Sequence, residues 1–214
     1  MPTILVGTDD GIRTVGDPEQ PFRGRAVGAL TAGDGAIWAL VEGRELWRLD
    51  GAGGDRAVAS TAGARLNCLA VAGGTVLAGA AEARLLRLEA GELRPVEAFD
   101  RVEGRAGWYT PWGGPPDVRS IAVGADGGLW VNVHVGGIPA SADGGGTWRP
   151  TIDVDADVHQ VASHPDDPGR VLATTARGLA DSADAGASWA YLTEGMHAGY
   201  CRAVALAGDT VVVS

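Results

Sequence analysis

One eight-residue motif occurs twice in this chain, and the spacing of its two copies constrains the fold more than any other feature. Ser141-Ala-Asp-Gly-Gly-Gly-Thr-Trp148 returns 41 residues later as Ser182-Ala-Asp-Ala-Gly-Ala-Ser-Trp189. A fixed period of about 20 to 50 residues is typical of folds in which one supersecondary unit stacks on copies of itself. The chain is therefore predicted to be a repeat protein.

The residue types of the motif predict a tightly closed turn. Ser and Asp side chains bond nearby backbone groups in turns, Gly adopts positive φ, and Trp covers the turn with apolar area. We therefore interpret the aspartates as structural rather than catalytic. The structural positions are Ser141, Asp143, Gly145, Thr147 and Trp148 in the first copy and Ser182, Asp184, Gly186, Ser188 and Trp189 in the second.

The pattern Ser-x-Asp-x-Gly-x-Thr/Ser-Trp resembles the Asp box of BNR (bacterial neuraminidase) repeats. In that family the box lies in the turn between the third and fourth strands of a β-propeller blade. The resemblance thus implies an all-β fold built from four-stranded antiparallel blades. BNR propellers include sialidases, other glycoside hydrolases, receptors and photosystem assembly factors, so the fold alone does not select an activity.

Alignment on the two motifs divides the rest of the chain into repeats. Pairs of short apolar segments recur, and they are apolar on both faces, as expected for sheets that are sandwiched between neighbours. About five blades are represented within a single domain, 1–214. Blades are predicted at about 26–60, 65–100, 118–152 and 158–193, with partial blades at 1–25 and 200–214.

The two ends of the chain predict competing strands for one blade. Residues 4–14 resemble residues 171–181, so the chain is expected to enter at the second strand of a blade. Residues 201–206 would supply its first strand, yet residues 210–213 also have the pattern of a second strand. The alternatives are part of an open six- to eight-bladed ring and a closed five-bladed ring.

Composition excludes several classes of partner. The net charge of −10 argues against nucleic acid, and no apolar stretch reaches the about 20 residues of a membrane span, so no membrane partner is expected. The sequence has no phosphate-binding loop or dinucleotide fingerprint, and we expect no cofactor. Without a secretory signal at its start, the chain is expected to be cytoplasmic.

The longest link between repeats, about residues 101–117, is predicted to lie on the face opposite the two motifs. It carries Trp108, Tyr109 and Trp112 among Pro and Gly residues. Such rings can stack on a sugar, a planar ligand or a partner's side chains, and long ordered loops are often functional. The alternative is that they plug the channel or cover a seam between blades.

A second group of candidates shares one register position in the first strands. Asn67, Arg119, His159 and Arg202 each lie one residue into that strand. Two arginines and a histidine would suit a carboxylate or phosphate. Alternatively, acids in the neighbouring links pair with the arginines. These acids are Asp117, Asp153, Asp155, Asp157 and Glu194.

The histidines and acids of this face also raise the questions of metal binding and of glycoside hydrolysis. His134, His159 and His197 are expected on one face, but no paired His or Cys spacing supports a metal site, and none is predicted. Glycoside hydrolysis needs two carboxyl groups, and no spacing selects a pair, so no catalytic residue is assigned. The sequence predicts a binding module for a small anionic molecule, a glycan or a protein partner, with glycoside hydrolase as the alternative.

Overall fold

The computed structural model describes residues 4–16, 19–50 and 54–214. Parts of the predicted partial blade 1–25 and of the predicted blade 26–60 lie outside these residues. The described residues form β-strands and three short 3₁₀ turns, at Phe99–Arg101, Arg105–Gly107 and Val154–Ala156. None of the helices among them is long and apolar enough to cross a membrane.

The strands follow one another in a regular order. The first ten are β1 Leu5–Thr8, β2 Gly11–Thr14, β3 Val27–Gly33, β4 Ala36–Val41, β5 Glu45–Leu49, β6 Arg56–Ser60, β7 Leu66–Ala72, β8 Thr75–Ala80, β9 Arg84–Glu89 and β10 Glu92–Pro95. The next ten are β11 Val118–Val123, β12 Leu129–Val133, β13 Pro139–Ser141, β14 Arg149–Pro150, β15 Val158–Ser163, β16 Val171–Thr175, β17 Gly178–Ser182, β18 Ala190–Leu192, β19 Val204–Ala207 and β20 Thr210–Val213.

The strands form a series of antiparallel sheets in chain order. Among the described residues, β3–β6, β7–β10, β11–β14 and β15–β18 are four-stranded, and β1–β2 and β19–β20 are two-stranded. Each four-stranded sheet is a meander, which is the form of a propeller blade. The prediction of an all-β propeller with four-stranded antiparallel blades is therefore confirmed.

The second strand of each blade is the most deeply buried. All five residues of β12 are buried, and those of β16 are too. Successive side chains of a strand point to opposite faces of its sheet. Val131 accordingly packs into the apolar cluster shared with the preceding blade, whereas Trp130 packs into the cluster shared with the following one.

Hydrogen bonds also connect the first strands of successive sheets. Ser120 Oγ accepts from Val161 N at 3.0 Å, and Gln160 Oε1 accepts from Val204 N at 3.0 Å. Ser120 and Gln160 occupy equivalent positions in β11 and β15. The same contact thus repeats from one seam to the next and fixes the spacing between blades.

The two ends of the chain were predicted to compete for one second-strand position, and among the described residues each end forms its own pair of strands. β20 pairs with β19 and occupies the second-strand position, whereas β1 pairs with β2. No ladder joins β1 to β19 in this part of the chain. β19 begins only at Val204, later than the predicted residue 201, because the N–H groups of Arg202 and Ala203 both donate to Ser214 O.

The two octapeptides form nearly identical turns between third and fourth strands. Asp143 Oδ1 accepts from Ser141 Oγ at 2.8 Å and from Thr147 N at 2.9 Å. Asp184 Oδ1 accepts from Ser182 Oγ and from Ser188 N, both at 2.8 Å. Both carboxylates are therefore occupied by bonds within their own turns.

The sheets have two ends, which we name for the site description. The octapeptide face holds the turns at residues 141–149 and 182–190. The link face is the opposite end. It holds the links from second to third strands and from one sheet to the next, at residues 96–117, 133–138, 151–157, 175–178 and 193–203.

Candidate ligand-binding site

The shared register of three predicted site residues has a structural cause. In each of the four complete blades the first strand is irregular directly after its first residue, where one residue is left without a pair. Asn67, Arg119 and His159 are three of these four unpaired residues, and Gly28 is the fourth. β-Bulges re-aim side chains and are common next to active sites. The bulges therefore direct the three side chains toward the link face.

Asn67 is used to hold two blades together. Its Nδ2 donates to Val118 O of the next blade at 3.2 Å, and the side chain is half-buried. This contact gives the amide a structural role in the seam between β7 and β11.

His134, Asp157 and His159 come together on the link face. His134 follows β12, and its Nε2 lies 3.2 Å from Asp157 Oδ1. His159 lies on the bulge of β15, and its Nε2 lies 3.7 Å from Asp157 Oδ2. The two imidazoles are only 6 % and 5 % exposed, whereas the Asp157 side chain is 36 % exposed. One carboxylate thus lies between two buried rings.

Backbone geometry presents Asp157 to these rings. Its φ of 51° lies in the left-handed region, which Asp adopts more readily than most non-glycine residues. The residue ends the short turn Val154–Ala156, and Asp153 Oδ1 caps that turn by accepting from Asp155 N at 2.9 Å. The turn therefore holds the carboxylate at the start of β15.

The hydrogen bond of His159 to the backbone defines its tautomer. Nδ1 lies 2.5 Å from Cys201 O, and a carbonyl oxygen only accepts, so Nδ1 carries the hydrogen. In the neutral ring Nε2 is then an acceptor. Among the described residues, neither His159 Nε2 nor Asp157 Oδ1 has a hydrogen-bond partner, because the approach of His134 to Asp157 is not aligned as a hydrogen bond.

Buried polar atoms without partners are concentrated at this end of the molecule. Of nine such atoms among the described residues, five belong to Asn132, Asp157, His159 and Thr174. Asn132 and Thr174 occupy equivalent positions in β12 and β16, and both are fully buried. An unsatisfied buried polar group costs about 1–3 kcal/mol, so such a group calls for a specific explanation.

His134 is held in its neutral form. Burial lowers the pKa of this imidazole, and the nearby positive charge of Arg119 lowers it further, while Asp157 acts in the opposite direction. The ring is thus uncharged near pH 7, because the usual pKa of histidine is already about 6.5.

Three aromatic rings frame the histidines on the solvent side. Trp112 is 69 % exposed and stacks on His134, with ring centroids 5.2 Å apart. Tyr200 is 52 % exposed and packs on His159 at 4.6 Å. Tyr109 is 50 % exposed, and its hydroxyl donates to Asp155 Oδ1 at 3.4 Å. The rings form an apolar rim around the buried polar atoms.

Trp108 has a different position from the other two aromatic residues of its loop. It is half-buried and packs against Phe99 at 6.0 Å, with the Arg105 guanidinium 4.9 Å above its ring. Trp108 therefore packs on the apolar cluster shared by two neighbouring blades and anchors the loop.

The predicted arginines lie at the edge of the site. Arg119 and Arg202 are both exposed, and neither forms an ion pair within the described part of the chain. Arg119 is close enough to His134 to influence its titration. The expected pairing of these arginines with the acids of the links is not seen among these residues.

The imidazole of His197 is exposed and makes no hydrogen bond or ion pair among the described residues. Those residues also contain no group of three His, Cys, Asp or Glu side chains arranged to hold a metal ion.

The centre of the site includes residues that the sequence did not select as ligand contacts. His134, Asp157 and Tyr200 are part of the cluster, although the predicted ligand-binding set was Asn67, Trp108, Tyr109, Trp112, Arg119, His159 and Arg202. A signal for His134 exists in the alternation of Trp130 and Asn132 in β12, which His134 continues directly after the strand. For Tyr200 the sequence carries no comparable signal.

No protein-family profile matches this chain, and no curated protein sequence matches it. Solved structures match it in fold. YCF48 bound to D1 peptide has a TM-score of 0.63 at 12 % identity, over 97 % of this chain and 70 % of that one. An ancestral GH74 enzyme has a TM-score of 0.65 at 14 % identity, over 86 % of this chain and 26 % of that one.

The extracellular domain of BT4673 from B. thetaiotaomicron has a TM-score of 0.73 at 13 % identity. That match covers 99 % of this chain and 30 % of the other, so this chain spans less than a third of the length of both that domain and the GH74 enzyme. At such identities the likeness establishes the propeller fold and nothing about activity.

Proposed function

We propose that this chain is a BNR-type β-propeller that acts as a binding module, and that its ligand binds on the link face above His134, Asp157 and His159. The observation that carries the proposal is the set of buried acceptor atoms without partners beneath three exposed aromatic rings. In the two octapeptide turns, by contrast, the carboxylates accept hydrogen bonds from their own turn.

The energetics of the site favour an occupant. Trp112 exposes most of an indole ring, yet the ring is already oriented by its stacking on a buried imidazole. A ligand that covers it gains apolar contact with little loss of side-chain freedom. If the ligand also donates to Asp157 Oδ1 or His159 Nε2, it removes the cost of an unsatisfied buried acceptor.

Membership of the BNR family is supported by two features. The octapeptide turns lie between third and fourth strands, and their Ser, Asp and Thr/Ser side chains bond as a closed network. The likeness in fold to other propellers agrees with this assignment. YCF48 is named as bound to a peptide, which favours a protein partner for the present chain over a free small molecule.

A binding screen against glycans, small acids and peptides tests the proposal. We expect at least one ligand whose affinity falls by about tenfold or more in Trp112→Ala, since burial of an aromatic ring contributes about 1.5–3 kcal/mol. Tyr191→Ala is the matched control because Tyr191 is also exposed but lies on β18, outside the site. A ligand lost equally in both variants, or none at all, would rule out this site.

Glycoside hydrolysis is not advanced as a second function. Three of its five candidate acids have structural bonds: Asp117 Oδ1 accepts from Glu82 N, Asp153 caps its own turn, and Asp155 accepts from Tyr109. The remaining two are Asp157 and Glu194, and the fold likeness to the GH74 enzyme gives neither of them a catalytic role.

A further inference from the structure

The innermost atoms of the proposed site are both hydrogen-bond acceptors. Asp157 Oδ1 belongs to a carboxylate, which has no hydrogen to donate. In the neutral His159 ring Nε2 is an acceptor, because Nδ1 carries the hydrogen that faces Cys201 O. Both atoms are buried and without hydrogen-bond partners among the described residues. A ligand group that reaches them must therefore be a donor.

Positive charge fits between these atoms better than a neutral hydroxyl. His159 Nε2 lies 3.7 Å from Asp157 Oδ2, so a lone pair faces a carboxylate oxygen with no hydrogen between them. A cationic donor removes this repulsion, and charge-assisted hydrogen bonds are about twice as strong as neutral ones.

The rim of the site is also suited to a cation. Trp112 and Tyr200 pack on the two histidines and expose more than half of their surfaces. The faces of such rings attract a cation within about 6 Å of the ring centroid. Asp153 and Asp155 lie exposed in the adjoining link. Together with the net charge of −10, they raise the local concentration of cations.

From this geometry we infer that the site binds a primary ammonium group, namely the tip of a lysine side chain on a partner protein. The inference rests on the proposed binding function and names the group that the same site recognises. An ammonium carries three hydrogens, enough for Asp157 Oδ1 and His159 Nε2 together, while its alkyl stem lies along the aromatic rings. None of the 214 residues of the chain is a lysine, so none of them can be this ligand.

Substitution of Arg119 can distinguish a positively charged ligand from a negatively charged one. Its guanidinium is exposed, has no ion pair among the described residues, and acts electrostatically on His134. Its charge opposes a bound cation and favours a bound anion. Arg119→Ala is therefore expected to strengthen the binding of an ammonium ligand and to weaken that of a carboxylate or phosphate ligand.

Nuclear magnetic resonance of the indole N–H of Trp112 provides the test. The probes are the peptide acetyl-Gly-Lys-Gly-amide and the same peptide with an acetylated lysine, which has lost its charge. We expect saturable binding of the first, and binding weaker by about tenfold or more for the second. Butylamine and inorganic phosphate serve as the small amine and the anion for comparison.

Variants of the chain separate the charge of Asp157 from its backbone conformation. Asp157→Asn is expected to weaken the lysine peptide by about tenfold or more. Asp34→Asn is the matched control, since Asp34 also has a left-handed φ of 51° but lies in the β3–β4 turn. We expect the affinity of Asp34→Asn for the lysine peptide to be unchanged. Arg119→Ala is expected to bind the lysine peptide more tightly.

The outcomes distinguish this inference from the function on which it rests. Equal binding of the two peptides, weaker binding by Arg119→Ala, or tighter binding of butylamine than of the peptide would overturn the lysine assignment. Phosphate binding that depends on Arg119, with no lysine binding, would leave a binding module with an anionic ligand. If the broad screen also yields no ligand that depends on Trp112, the binding function itself is wrong.

Discussion

Single carboxylates have opposite roles on the two faces of this molecule. Asp143 and Asp184 are surrounded by donors within their turns, whereas Asp157 has an oxygen without a partner and lies against two buried imidazole rings. The first arrangement stabilises a turn. The second leaves a buried acceptor unsatisfied, which costs free energy in the absence of a ligand. Such a cost is typical of functional positions.

The octapeptide aspartates predict a definite pH dependence of stability. Hydrogen bonds from the Thr147 backbone and side chain lower the pKa of Asp143 to about 2, and those from the Ser188 side chain and backbone do the same for Asp184. Because the pKa is lower in the folded state than its usual 3.8, the stabilisation is complete above pH 3.8 and is lost as pH falls toward 2.

Thermal unfolding between pH 5 and about 2 checks this expectation. The unfolding midpoint should fall with pH in the unmodified chain, and the fall should be smaller in Asp143→Asn and Asp184→Asn. Asp126→Asn is a suitable control, since its carboxylate accepts from Gly128 N in a different turn. An unchanged pH slope in both octapeptide variants would contradict the account of these turns.

At the scale of elements, two aromatic residues in the link of residues 96–117 have different roles. Trp108 packs on Phe99 and anchors the loop, whereas Trp112 stacks on His134 and faces solvent. The core cluster beneath Trp108 includes the fully buried Phe99. The loop that carries Trp112 is thus packed on the core through Trp108.

This division predicts different effects of two similar substitutions. Trp108→Ala should lower the free energy of unfolding by about 2–3 kcal/mol, somewhat less than for a fully buried aromatic residue. Trp112→Ala should change it by less than about 0.5 kcal/mol, since surface substitutions are usually small. Denaturant titration of both variants measures the difference. A larger loss for Trp112→Ala would show that the exposed ring is structural.

The sequence predicted the elements better than their irregularities. The all-β fold with four-stranded antiparallel blades was predicted from the repeat and from segments that are apolar on both faces, because apolar patterns reflect burial directly. The bulges at Asn67, Arg119 and His159 were not predicted. A bulge depends on how two strands pair, which the pattern of one strand does not encode.

The site was predictable only in part for a related reason. Its face and several of its residues followed from the repeat phase, including Trp112, Tyr109 and His159. The contacts of His134 with Asp157 and of Tyr200 with His159 bring together three separate links at the seams between blades. These contacts depend on the twist and spacing of the sheets, which the periodicity of the sequence does not encode.

For the whole molecule, we propose that the octapeptide face closes turns, whereas the link face binds a ligand. The octapeptide face satisfies its own carboxylates, and the link face leaves buried acceptors beneath exposed rings. The blades hold both sets in place because the seams between first strands repeat the same hydrogen bonds. Turn closure and the proposed ligand binding thus lie at opposite ends of the strands.

Hydrogen exchange of the whole chain, with and without a ligand found in the binding screen, tests this claim most directly. Ligand binding should slow the exchange of backbone amides in residues 109–114, 134–136, 155–159 and 199–202, and leave residues 141–148 and 182–189 unchanged. Protection confined to those two octapeptide turns, with no change on the link face, would contradict the account.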